Sequence, residues 1–162
     1  MILTVCALTG AEAFWRHEGH QPTVTDDIDL WSVHRARVEH ATRNDVVLMG
    51  ASRMQLDFSS AAFHQSMPGR ELIRLELDGK RPLATLRDIA ENTDFQGVVL
   101  CAFVMSDVQP KLKDNQQPNV DYYHKGFPLN RNLNRRISAA MEHRFIVLSG
   151  IVNSRNIFKN VI

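Results

Sequence analysis

Three short apolar runs constrain what this chain can fold into: DVVLMG at 45–50, ELIRLEL at 71–77 and GVVLCAFV at 97–104. Each has the length of a strand, and helical patterns fill the gaps near 59–66 and 82–92. Strand, helix, strand, helix, strand at this spacing predicts right-handed βαβ units, hence a parallel sheet with helices on its faces. The first and third runs are apolar throughout, which predicts strands covered on both sides. Pro82 stands at the start of the second helical pattern, where a missing N–H costs nothing. Upstream, Leu30, Trp31, Val33, Ala36, Val38 and Ala41 predict a further helix of imperfect period, with Asp29 as its cap.

The remainder is less regular. NRNLNRRISAAMEHR has a helical pattern and FIVLSGIV, from 145 to 152, has that of a fourth strand. At 162 residues, 44% hydrophobic and 23% charged, the chain can bury a core of its own and falls outside the disordered and fibrous classes. A single α/β domain over 16–162 is expected, defined least well beyond residue 108. Residues 125–162 hold seven cations against Glu142, net +6, and leave net −5 for the first 124. That basic stretch lacks interleaved aromatics and any nucleic-acid module, so no nucleic-acid partner is expected. Cys6 and Cys101 share no ligand spacing, and neither a metal nor a cofactor is expected.

Residues 1–15, MILTVCALTGAEAFW, start apolar but are too short to span a bilayer, which takes about 20 apolar residues. They read as the end of a membrane anchor, a degenerate signal peptide with Ala11 and Ala13 near its cleavage pattern, or a packed N-terminal helix. The first two place the protein at a membrane or in the periplasm, the third in the cytoplasm.

The candidate chemistry lies where the runs end, since ligands of parallel sheets bind outside the carboxyl ends of the strands. Ser52 follows the first run through Gly50, either as a nucleophile or as an N-cap with no chemistry. The second run ends at Gly79, whose bare backbone can approach a ligand, and the third at Ser106 and Asp107. A nucleophile with donors aimed at an oxyanion is what acyl transfer needs.

Over about residues 15–108 the chain resembles the SGNH (GDSL-like) hydrolase superfamily. Gly50-Ala51-Ser52-Arg53 is similar to its first block, with Ala51 and Arg53 in place of the usual Asp and Leu, and Gly79 matches the glycine of the second. Trp15, Arg16, Gly19 and Pro22 fit a W-R-x-x-G-x-x-P stretch found in a membrane-anchored bacterial subgroup with a GxSR serine. The resemblance implies a flavodoxin-like three-layer α/β fold, with Ser52 as nucleophile and the Ser52 and Gly79 amides as oxyanion donors. The third block, G-x-N-D, is absent, and Ser106 stands in its place as a weaker donor. Asp121-Tyr122-Tyr123-His124 has the D-x-x-H spelling of the last block, with His124 as base and Asp121 as orienting acid, or else is plain loop. Family domains run on with further βα units, so the sheet is expected to be incomplete on its C-terminal side, with an open edge that invites a homodimer.

Two functions follow from the resemblance. One is a serine esterase or acyltransferase acting on an O-acyl ester of a small molecule or carbohydrate, weak or inactive in this short form. The other is a noncatalytic SGNH-like binding or assembly module at a membrane. A phosphate or nucleotide binder is a third class, without a Gly-rich loop to support it.

Overall fold

The computed structural model describes residues 2–20, 22–105 and 115–149. In chain order its elements are α1 (Ile2–His17), α2 (Ile28–Val38), β1 (Val46–Met49), α3 (Ser52–Asp57), α4 (Ser60–Ser66), β2 (Leu72–Arg74), α5 (Leu83–Asn92), β3 (Val98–Cys101), α6 (Gln117–His124) and α7 (Leu129–Arg144). Contacts gather the chain into two compact units, Trp31–Pro128 and Met1–Leu30 with Leu129–Ile162.

The first unit holds the sheet, which is parallel and ordered β2-β1-β3. Val46 stands opposite Leu72 on one side and Val98 on the other. Pairing with β2 continues beyond its last residue, because the N–H groups of Leu75 and Leu77 donate to Leu48 O at 2.8 Å and Gly50 O at 3.1 Å. Side chains of a strand alternate between faces, and those of β1 build two cores. Val47 and Met49 meet Trp31 and Val38 of α2, Ala84 and Ile89 of α5, and Val120 of α6. Val46 and Leu48 meet Phe63 of α4, with Met54 and Phe58 beside them. The unit is therefore mixed α/β, with helices on both faces of its sheet.

Among the described residues the expected cover of β3 holds on one face only. Val99 and Cys101 pack on the larger core, whereas Val98 and Leu100 are 44% and 38% exposed. Cys101 is half-buried and forms no disulfide among the described residues. The helix start at α2 differs as well: Leu30 N–H donates to Asp27 Oδ1 at 2.7 Å, so Asp27 rather than Asp29 caps it.

In the second unit α1 ends at Gly19, whose φ of +82° is the left-handed stop that glycine adopts without strain. His20 N–H closes this turn on Trp15 O at 3.1 Å. Of the stretch expected as a fourth strand, the described part holds a 3-10 turn at Ile146–Leu148, and 150–152 lie outside the described residues. The N–H groups of Ile146 and Val147 donate to the Glu12 carboxylate, both at 3.1 Å, and are not free for a strand partner. Glu12 also pairs with Arg16 of the same helix, and Arg135 of α7 binds Asp27 at 3.1 Å and Glu142 at 3.2 Å. Among the described residues no helix is long and apolar enough to cross a membrane.

Candidate functional site

β1 leaves the sheet through Gly50, whose φ is +154°. A Cβ there would lie 2.8 Å from Met54 Cβ and 3.4 Å from Ala102 Cβ, so only glycine lets α3 turn back this tightly over the end of β3. Ser52 is the first residue of α3 and is not its cap. The N-cap is Ala51, with no side-chain bond to the helix, and its carbonyl accepts the N–H groups of Met54 and Gln55 at 3.0 and 3.2 Å. The capping serine is one helix later, where Ser59 Oγ accepts Ala62 N–H at 3.2 Å. Among the described residues the Ser52 hydroxyl has no hydrogen-bond partner, so it is available to a ligand.

The segment after β2 turns at the same edge. Lys80 N–H donates to Leu77 O at 3.2 Å across a turn whose third residue is Gly79, with φ +64°. The Asn115 side chain clamps this loop: its Nδ2 donates to Gly79 O at 2.9 Å and its Oδ1 accepts Arg81 N–H at 2.7 Å. With its carbonyl engaged, Gly79 keeps an N–H that bonds to nothing among the described residues. Ser52 and Gly79 both line a cavity of about 300 Å³, together with Ala51, Arg53, Met54, Lys80, Arg81 and the segment Ala102–Val104.

Of the residues expected at the site, the structure brings Ser52 and Gly79 together. Ser106 and Asp107 lie outside the described residues. Asp121 and His124 are on α6 and are not among the residues lining the cavity. They are not paired with each other either. Asp121 Oδ1 accepts from Gln117 Nε2 at 2.9 Å, while His124 Nε2 meets Asp88 Oδ1 of α5 at 2.5 Å. Among its described lining residues the cavity has neither imidazole nor carboxylate.

His124 belongs to a polar cluster between α2, α5 and α6 that sequence patterns did not reveal. Arg35, fully buried, donates from Nε to Asp88 Oδ2 at 2.5 Å, and Asn92 Nδ2 donates to Asp88 Oδ1 at 3.0 Å. The Arg35 guanidinium also lies 4.9 Å from the Tyr123 ring centroid, and Tyr123 OH donates to Glu39 Oε1 at 2.5 Å. Burial alone would raise the Asp88 pKa, but the hydrogen bonds and positive charge of Arg35 and His124 outweigh it and hold the carboxyl below its ordinary value. For Tyr123, burial and then the Glu39 carboxylate push the phenol well above its ordinary value. The only sequence trace of this cluster was the imperfect period of α2, where Arg35 occupies a core position.

No family model, curated protein or solved structure matches this chain. Among the described residues no group of three or more His, Cys, Asp or Glu is placed to hold a metal ion.

Proposed function

We propose that the Trp31–Pro128 unit is a flavodoxin-like, SGNH-type domain whose Ser52 cavity binds the acyl group of an ester and transfers it weakly at most. One observation carries this reading: a serine hydroxyl not used for capping and a glycine N–H without a bond among the described residues line the same small cavity at the carboxyl edge of a parallel sheet. In the reaction, Ser52 Oγ attacks the carbonyl carbon and the Gly79 N–H stabilises the oxyanion. The ester C–O bond then breaks, the alcohol leaves with the serine proton, and water or a second alcohol releases the acyl group. Attack by a neutral hydroxyl needs a base at about 2.6–3.2 Å, and no described residue lining the cavity supplies one. His124, whose Nε2 is held by Asp88, is not that base in this arrangement.

The lack of a base among the described lining residues also favours a second reading, a noncatalytic binding module of the same fold. A neutral alkyl fluorophosphonate separates the two, because phosphonylation forms the Oγ–P bond as the P–F bond breaks and fluoride and the serine proton depart, and so reports on the nucleophilicity of the serine. Slow labelling confined to Ser52, lost in Ser52→Ala and kept in His124→Ala, is the expected result. No labelling of a folded protein leaves the binding module, and labelling lost equally in both variants would make His124 a working base.

A further inference from the structure

The charge of the cavity goes beyond what acyl binding requires. Among its described lining residues Arg53, Lys80 and Arg81 are cationic and none is acidic. Arg53 is the informative one. Asp57 stands four residues on along α3, the spacing at which helical charges commonly pair. Yet the Arg53 side chain makes no ion pair or hydrogen bond among the described residues. Lys80 is held in position without being neutralised, because Nζ donates to Asn119 Oδ1, a neutral amide oxygen, at 2.7 Å. Asn119 is itself buried, and the Asn115 clamp fixes the backbone that carries Lys80 and Arg81. The lining segment after β3, Ala102, Phe103 and Val104, is apolar in its side chains. A ligand that satisfies both sets of side chains has an apolar or neutral body and a charged end.

We propose that the Ser52 cavity selects esters bearing an anionic group, a carboxylate or a phosphate, which Arg53 binds with Lys80 and Arg81 beside it. The proposal rests on the reading of Ser52 and Gly79 as the acyl-binding pair, and it names the substrate class for that pair. A guanidinium presents two parallel N–H groups to either oxyanion, so carboxylate and phosphate share the recognition chemistry. The site is open to water, so the preference is expected to be moderate and sensitive to salt.

Binding, not turnover, tests it. Monomethyl succinate, its neutral counterpart dimethyl succinate, and inorganic phosphate are titrated into the full chain at low ionic strength, with amide chemical shifts as the readout. The expected result is about tenfold tighter binding of monomethyl than of dimethyl succinate, equivalent to about 1.4 kcal/mol. Shifts should centre on residues 51–54 and 79–81, and the preference should fade in 0.5 M salt. Arg53→Gln should erode that preference, while Arg87→Gln, the same charge change on an exposed position of α5 outside the cavity, should not. The tighter binder of monomethyl succinate and phosphate identifies which anion the natural ester carries. Equal affinity for the two succinate esters, or an equal loss in Arg87→Gln and Arg53→Gln, overturns the proposal. If the fluorophosphonate leaves Ser52 unlabelled while the monoanion still binds through Arg53, acyl transfer falls and the anion site stands. If Ser52 is labelled but no anion preference is found, the anion site falls and acyl transfer stands.

Discussion

Removing the Asp88 carboxylate should be among the most damaging single changes to the sheet-bearing unit. Asp88 is 3% exposed and receives Arg35 Nε, Asn92 Nδ2 and His124 Nε2. Arg35 depends on it most: it is 0% exposed, its Nη1 and Nη2 atoms have no hydrogen-bond partner, and its other carboxylate, on the half-exposed Glu39, is 3.8 Å away. Asp88→Ala therefore strands a buried guanidinium, which costs about 3–5 kcal/mol where one partner of a buried pair is deleted. Whole domains are stable by only about 5–15 kcal/mol, so the loss is a large fraction of the total. At about 2–4 °C per kcal/mol for a chain of this size, Tm should fall by about 6–20 °C. Urea titration followed by circular dichroism measures it directly. Arg35→Met combined with Asp88→Leu should cost less than Asp88→Ala alone, because no charge is left buried. The pH dependence has a defined sign. The folded pKa of Asp88 lies below its ordinary value, so its contribution is complete above the unfolded pKa of about 3.9 and is lost as pH falls through the folded pKa. The acid limb of the stability curve below about pH 4 should accordingly flatten in Asp88→Ala. A loss under about 1 kcal/mol, or a double variant less stable than Asp88→Ala, would refute this reasoning.

Three further stability predictions concern the ends of the strands. Gly97→Ala should cost about 2–3 kcal/mol, because its Cβ would fall 2.4 Å from Asp45 O and 2.5 Å from Phe95 Cζ, and the backbone atom has little room to move. Gly79→Ala meets nothing within 4 Å and should lose only the roughly 1–2 kcal/mol of its left-handed φ; urea midpoints that rank it below Gly97→Ala would contradict both accounts. Asp45, at the mouth of β1, accepts Thr42 N–H at 2.7 Å, Thr42 Oγ1 at 3.0 Å and Glu71 N–H at 3.1 Å, and the Thr42 amide chiefly holds its pKa down. Asp45→Ala should cost about 1.5–3 kcal/mol at pH 7 and progressively less as the pH falls from the ordinary carboxylate range through its lowered folded pKa, and a loss that does not change with pH would refute it.

The sheet was legible because its signal is local: strand length, apolar runs and the helices between them are all properties of neighbouring residues. β1 lies at the centre, parallel to both other strands, as the position of Ser52 required. Legibility failed where tertiary partners decide. FIVLSGIV has strand composition, but its leading N–H groups go to Glu12, more than 130 residues away. GVVLCAFV is as apolar as a fully covered strand, yet nothing in its composition shows that one face of β3 is the more exposed. QPNVDYYH, read as loop or as a catalytic block, is the helix α6, with its proline in the first turn.

The candidate site divides along the same line. Gly50, Ser52 and Gly79 act through backbone turns at strand ends, so topology alone brings them together. Asp121 and His124 had only a spelling to recommend them, and three residues along a helix is a spacing that sets two side chains near one another without deciding their partners. Gln117 takes the aspartate, and Asp88, buried one helix away, takes the histidine. Ser52 is thus left among cations, which can stabilise negative charge on a bound ligand but cannot accept the hydroxyl proton. An array of that kind binds an anionic ester better than it cleaves one. A gain of turnover would require a base at the cavity, whereas a change of ligand preference requires only Arg53 or its neighbours, so binding and chemistry at this edge of the sheet should respond to different substitutions.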